Sequence, residues 1–235
     1  MEESKPNVLV LIPAYNEADR IAAVLQGALK FLPVLVVDDG SSDDTSAVAE
    51  QLGAYLLRQE PNQGKGAALR AGFTFALEGH YEAVITVDAD GQHDTAEIPV
   101  FVEAFRQRHA DLIIGARDIQ LMQLVRRFSN SFGRWTFSWA VGQTVHDNQS
   151  GYRLLSPRMM QAMLPSQERG FQFEVEMIAE CIRRGYVLEW VPIRTIYGDE
   201  GSHINPFRQT VNYLRIVFQT RRRMRRTERR TERRR

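Results

Sequence analysis

The sequence predicts an α/β protein: a doubly wound, mostly parallel sheet with helices on both faces, of the kind that binds ligands along one edge. Three observations predict it. Short apolar runs alternate with amphipathic stretches of helical length through the first half of the chain. The runs are apolar at every position, not at every second one, as strands covered on both faces require. Several runs end in clusters of polar and acidic residues, at the strand ends where open parallel sheets take up ligands.

The elements follow in order. Residues 7–13 (NVLVLIP) read as a buried strand and residues 17–31 as an amphipathic helix. Residues 34–40 (VLVVDDG) form a second strand, and residues 43–53 a second helix with Gly53 as its stop. A strand at 54–59 leads through a glycine-rich turn to a helix at 64–79. Residues 82–88 (EAVITVD) form the next strand, followed by a helix at 95–109 that Asp94 or Thr95 can cap. Residues 111–117 (DLIIGAR) are the fifth strand. The second half is less regular. It holds a helix at 122–142, a turn and short strand at 147–156, a helix at 173–185 stopped by Gly185, a strand at 186–197, and a last helix from Asn205 to Met224.

Charge is distributed unevenly. Residues 221–235 hold ten Arg and two Glu, a local +8; the whole chain carries +1, so the first 220 residues carry −7. The sequence thus divides into a mildly acidic body, taken as a domain at 1–204, and a basic end at 205–235. The single cysteine, Cys181, allows no internal disulfide and suits a reducing compartment. The opening MEESKP has no signal-peptide character, and no run approaches the ~20 apolar residues of a membrane span. These features predict a cytoplasmic protein, or one peripheral on the cytoplasmic face of a membrane.

The chemistry concentrates at the strand ends. Asp38, Asp39, Asp88 and Asp90 all follow apolar runs. An unpaired carboxylate is costly to bury, so a compensating charge is expected. A divalent cation supplies it, and one held with open positions suits a diphosphate ligand. In extended chain, Asp88 and Asp90 face the same side and can address one site, with Gln92 adding a neutral oxygen. The segment PNQGKGAALRAG fits neither a P-loop nor a dinucleotide fingerprint. It reads either as a glycine turn with a solvated Lys65, or as backbone N–H groups and Lys65 facing an anion at a helix N-terminus.

Taken in order, IPAYNE, VVDDGSSDDT, NQGKGAALRAG, VDADGQHD, GAR, DNQSGYR, FEVEM and VPIRTIY resemble family 2 glycosyltransferases of the GT-A fold, and within them the polyprenyl-phosphate (dolichol-phosphate mannosyltransferase-like) group. The resemblance implies an inverting transfer of a sugar from a nucleotide-sugar donor. It implies that Pro13, Tyr15 and Glu17 line the nucleoside pocket, with Asp38 or Asp39 on the base or ribose. Lys65, Asp88, Ala89 and Asp90 would flank the donor diphosphate, and Asp88, Asp90 and Gln92 would hold Mg²⁺ or Mn²⁺. Arg117 would meet a phosphate through its forked donors. Ser150, Gly151, Arg153, Glu174, Glu176 and His203 would shape the sugar and acceptor side. A hydroxyl acceptor would need a general base such as Asp147; a polyprenyl phosphate is already ionised and would need only positioning.

One segment departs from that group. TIYGDEGSHINP places Tyr197 and His203 where the group carries an arginine and a lysine, so two fixed charges are replaced; Arg194 and Arg208 are near enough to substitute. For His93, Trp135, Trp139 and Trp190, helix surface or core packing is expected. At the basic end, Phe207, Val211, Leu214 and Phe218 make an apolar stripe that runs into the arginines. A stripe joined to a basic cluster fits a helix lying on an anionic membrane, with packing on the body as the alternative. No aromatic residue interleaves the tail arginines and the body is acidic, which disfavours nucleic acid as a partner. A rival to the enzyme is an inactive nucleotide-sugar or nucleic-acid binding module.

Overall fold

The structure is a computed structural model that describes residues 6–117, 124–170, 172–194, 213 and 215–225. Its strands are β1 (Val8–Ala14), β2 (Val34–Asp38), β3 (Tyr55–Arg58), β4 (Ala83–Thr86), β5 (Leu112–Arg117), β6 (Arg153–Leu155) and β7 (Leu188–Ile193). Its helices are α1 (Ala18–Ala28), α2 (Thr45–Gln51), α3 (Lys65–Glu78), α4 (Ile98–Arg108), α5 (Leu124–Val141), α6 (Pro157–Met163) and α7 (Gln172–Arg183). Residues 215–225 form a further helix at the C-terminal side.

The seven strands make one sheet in the order β3-β2-β1-β4-β6-β5-β7. Every neighbouring pair is parallel except those of β6, which runs antiparallel to both β4 and β5. The strand order reverses around β1, so the carboxyl ends of β1, β2, β4 and β5 open onto one rim.

The continuous apolar runs are explained by two cores, one on each face. In β1, Leu9 and Leu11 pack on the face covered by α3, α6 and α7, while Val8, Val10 and Ile12 pack on the face covered by α1 and α4. Alternate residues leave opposite sides of a strand, so a strand between two helical layers needs apolar side chains at every position.

The expected stops hold. Gly53 and Gly185 take positive φ after α2 and α7, and Asp94 caps the turn before α4 by accepting the Ala96 N–H. Helix α6 was not foreseen. Ser156 caps it through the Met159 N–H, and Pro157 occupies its first position, an ordinary start signal in a short element.

The C-terminal helix departs from the predicted stripe. Phe207, Val211 and Leu214 lie outside the described residues. Phe218 is exposed, while Val217, Thr220 and Met224 are buried. Val217 belongs to the same core as α3 and α7, with Tyr213 and Ile216 packed beside it. The buried face is therefore rotated by one residue from the expected one, and it is turned onto the body.

Helix α3 lies close on β1. A β-carbon at Gly72 would fall 2.3 Å from Leu11 Cδ1 and 3.0 Å from its Cγ. Helix propensity favours alanine by ~1 kcal/mol, but overpacking a closed core costs ~1–3 kcal/mol. Gly72→Ala is expected to lower the urea midpoint with an unchanged slope; an equal or higher midpoint would refute the close approach.

Candidate active site

The rim is assembled by hydrogen bonds between successive loops. After β1, the Asn16 N–H donates to Ser41 Oγ at 2.9 Å and Asn16 Oδ1 accepts the Ser42 N–H at 2.8 Å. The first N–H groups of α1 are satisfied from the same loop: Glu17 by Thr45 Oγ1 at 2.9 Å and Ala18 by Asp43 Oδ2 at 3.1 Å. The YNE and SSDD segments thus form one laced unit. Tyr15 projects from it, half exposed, beside Pro13. Glu17 has its carboxylate on Arg20 at 2.9 Å.

The two aspartates that end β2 face different tasks. Asp38 is fully buried. Its carboxylate accepts from the Ser41 N–H and Ser46 Oγ, with Arg58 beside it at 3.7 Å. It holds its own loop, with both of its oxygens taken by protein donors. Asp39 accepts the N–H groups of Gln63 and Gly64 at 2.8 and 2.7 Å, fixing the glycine-rich turn against the rim.

That turn is built for close contact with chain. Gly66 N–H donates to the Arg169 carbonyl at 2.8 Å, and β-carbons at Gly64 and Gly66 would fall 2.5 and 2.4 Å from the carbonyl oxygens of Arg169 and Glu168. The N–H groups of Gly64, Gly66, Ala67 and Ala68 are all taken by protein acceptors. Backbone N–H groups facing an anion, one of the two readings of this segment, are therefore not what the turn presents. Its functional group is the Lys65 side chain.

Lys65 sits between two carboxylates. Its Nζ is 2.5 Å from Asp88 Oδ1 and 2.7 Å from Glu174 Oε1. Asp88 comes from the end of β4 and Glu174 from the first turn of α7. Burial alone would lower the ammonium's pKa, but the two carboxylates outweigh it and raise it. Burial likewise acts to raise the pKa of Asp88, while Lys65 and His93 hold it far below the usual carboxylate range. Asp88 also lies against Gly151: a β-carbon there would fall 2.4 Å from Asp88 Oδ2. Only glycine lets the 147–152 loop pass so near the carboxylate.

On the far side of the rim, Arg117 and Asp147 form a forked ion pair, with Nε–Oδ2 at 2.6 Å and Nη2–Oδ1 at 3.0 Å. Asp147 Oδ1 accepts further from the N–H groups of Gln149 and Ser150. Burial would raise the Asp147 pKa, but Arg117 holds it below the ordinary value. A carboxylate so saturated is a weak proton acceptor, which counts against Asp147 as a general base. The same pairing occupies the Nε edge of Arg117, which was expected to face a phosphate.

Other expected acceptor residues prove to be braces. Arg153 is fully buried and donates to the carbonyls of Ser150 at 2.8 Å and Glu174 at 2.5 Å, tying β6 to α7. Ser150 is buried, and its Oγ accepts the Tyr152 N–H. Glu176 points away from the rim. Two residues beyond Glu174 on a helix is about 200° of rotation, and Glu176 bonds Ser166 Oγ and Arg223 instead. His203, Tyr197 and Arg208 lie outside the described residues. Arg194 donates its N–H to Glu97 Oε1 at 2.8 Å.

His93 is packed as expected, buried with its ring 5.1 Å from that of Tyr152, but sequence reasoning missed its further contact: its Nε2 is 3.6 Å from Asp88 Oδ2, and its buried Nδ1 has no hydrogen-bond partner among the described residues. Its place inside VDADGQHD was the available signal. The three tryptophans behave as expected, with Trp135 and Trp139 on the surface and Trp190 half-buried.

Asp88, Ala89, Asp90 and Gln92 occupy one turn after β4, where Asp90 Oδ1 accepts the Gln92 N–H at 2.9 Å. Among the described residues no three His, Cys, Asp or Glu side chains close around a point. Two carboxylates and an amide do not make a closed cage. They do fit a hard divalent ion that completes its shell with phosphate oxygens and water.

Replacing Lys65 with alanine leaves Asp88 and Glu174 facing each other. The cost is expected to be roughly 2–4 kcal/mol, below that of a sealed pair because Lys65 is 22% exposed. The pH dependence has a definite sign. A depressed carboxylate contributes stability above its unfolded pKa of ~3.9 that is lost as pH falls through its folded value. The gap in urea midpoint between wild type and Lys65→Ala should therefore narrow as pH is lowered below ~4, where the unfolded carboxylate takes up its proton; a gap that widens there would refute the assignment.

Comparison with known proteins agrees with this geometry. The sequence pattern described as Glycosyl transferase family 2 matches residues 9–160. The chain is 32% identical over 206 residues to glycosyltransferase AglJ of Haloferax volcanii, covering 84% of this chain and 66% of that one. It is 31% identical over 213 residues to undecaprenyl-phosphate mannosyltransferase of Micrococcus luteus, covering 83% and 86%. Among solved structures, glucosyl-3-phosphoglycerate synthase of Mycobacterium tuberculosis, crystallised with Mn²⁺, UDP-glucose and phosphoglyceric acid, superposes with a TM-score of 0.72 at 18% identity, covering 92% of this chain and 78% of that one. That likeness establishes the GT-A architecture. With the family pattern matching residues 9–160, from β1 through β6, this chain belongs to glycosyl transferase family 2.

Proposed function

We propose that this enzyme transfers a sugar, with inversion, from a nucleotide-sugar donor to a polyprenyl phosphate at the cytoplasmic face of an anionic membrane. The observation that carries the choice of acceptor is the state of the carboxylates beside it. Asp147 is saturated by Arg117, Gln149 and Ser150, and Glu174 is held by Lys65. A hydroxyl nucleophile must lose a proton to a free base; a phosphate arrives already ionised. A rim whose acceptor-side carboxylates are committed to ion pairs suits the second. The name of one relative above, the undecaprenyl-phosphate mannosyltransferase, supports the same acceptor.

In this reading Pro13, Tyr15 and Glu17 line the nucleoside end, with Asp39 positioning the loop below it. Asp88, Asp90 and Gln92 would hold Mg²⁺ or Mn²⁺, which when bound supplies the Lewis acid that neutralises the departing diphosphate. Lys65 keeps Asp88 ionised and aimed, and adds positive charge next to the leaving group. Arg117, oriented by Asp147, would stand at the phosphate end of the donor. Residues 205–235, with their excess of arginine, would draw the enzyme to anionic lipid.

Full-length protein with Mn²⁺ should therefore transfer label from one of the UDP-, GDP- or dTDP-sugars to a polyprenyl phosphate in detergent. The donor that works should also raise thermal stability, by about 2.7 kcal/mol at ~100 times its dissociation constant. Asp90→Ala should reduce transfer by at least about a hundredfold. Transfer to a saccharide hydroxyl and none to the lipid phosphate would overturn the acceptor while leaving the family intact.

A further inference from the structure

Away from the rim, α5 and the C-terminal helix meet in an exposed aromatic patch. Trp135 is 70% exposed, Trp139 48% and Phe218 62%. The two tryptophans are four residues apart and share one side of α5. Trp139 and Phe218 meet edge to face with ring centroids 6.3 Å apart, and the Arg221 guanidinium stands 5.5 Å above the Trp139 ring. Contiguous exposed rings of this size mark an interaction site.

Packing fixes the outward direction of this patch. Val217, Thr220 and Met224 anchor the opposite face of the C-terminal helix in the body. Tyr213 pins the helix further: its hydroxyl donates to the Gly133 carbonyl of α5 at 2.5 Å and accepts from Asn148 Nδ2 at 2.9 Å. Phe218 therefore cannot turn inward without uprooting the helix. Arg221, Arg222 and Arg225 follow it at helical spacing, and Arg222 and Arg225 are exposed.

We propose that Trp135, Trp139 and Phe218 form a membrane-contact face whose rings insert among the headgroups of an anionic bilayer, with the flanking arginines on its phosphates. The chemistry of the patch selects this occupant. Tryptophan carries an apolar body and an N–H, and settles at the boundary between headgroup and chain. Arginines bordering an apolar face add attraction to anionic lipid. A second copy of the chain is disfavoured, because a self-complementary contact would bring the exposed Arg222 and Arg225 of both copies together. The inference deepens the acceptor reading above by naming the lipid-facing side, which Asn148 joins to the Asp147 loop; the patch itself is independent of that reading.

The test uses full-length protein and sedimentation with phosphatidylcholine vesicles, with or without phosphatidylglycerol, and with no donor or acceptor. Its outcome is therefore separate from that of the transfer assay. Wild type should sediment with the anionic vesicles and be released by salt. The double variant Trp135→Ala/Trp139→Ala should partition at least about tenfold less, with unchanged circular dichroism and urea midpoint. Bromine-labelled acyl chains should quench the tryptophan emission of the unaltered protein, a reading that needs no variant. The proposal fails if the double variant partitions equally or if bromolipid quenches nothing. It also fails if the tryptophans instead support a dimer on size exclusion or the retention of RNA.

Discussion

The site depends on one ammonium placed between two carboxylates from distant parts of the chain. Lys65 brings together Asp88 from the end of β4 and Glu174 from α7, 109 residues away from it. Without that cation, two carboxylates would approach across a partly buried rim, which the low local dielectric penalises. With it, the first half of the sheet and the last helix of the catalytic body share one electrostatic node. The other constraints serve that placement. Asp39 fixes the turn before Lys65, the Arg169 carbonyl fixes the turn after it, and Gly151 leaves room for Asp88.

Much of this was legible in the sequence, and the limits have physical causes. The strands were readable because burial on both faces demands unbroken apolar runs, as in β1 and β2. The placement of Asp39, Asp88, Asp90 and Arg117 at strand ends was readable because strand ends in a parallel sheet share a rim; Lys65 starts a helix, and its role was left open between solvent and an anion. What strand position does not reveal is which way a side chain faces once the chain leaves the strand. Asp38 and Asp39 are neighbours and both are buried, yet Asp38 closes its own loop while Asp39 holds the glycine-rich turn. Glu174 and Glu176 sit within one motif, yet helical rotation sends one to the rim and the other to Arg223. Arg153 looked like a substrate contact because it is an arginine in a motif, and only its complete burial identifies it as a brace. The C-terminal helix carries two apolar stripes one residue apart, and local sequence does not say which of them finds a core.

The pairing of Arg117 with Asp147 illustrates how an ion pair changes the reading of both partners. Each alone suggests chemistry: a cation for phosphate, a carboxylate for a proton. Joined as a fork they suggest positioning, since the arginine gains a fixed orientation and the aspartate loses basicity. Family membership does not decide such points. They follow from which lone pairs and which N–H groups remain uncommitted.

The reversed direction of β6 has a consequence for how such enzymes diverge. Because Arg153 pairs beside Thr86, β6 begins at the rim instead of ending there. The chain leaves the sheet after Arg117 and returns to it at the same border, so the whole excursion between them is an insert with adjacent endpoints. Its length can change without disturbing any register in the sheet, while Phe137, Ala140 and Val141 in the core and Asp147 and Gly151 at the rim hold its inner side in place. Change can therefore enter the molecule through the outer side of this excursion while the sheet and the ion-pair node at its rim stay as they are.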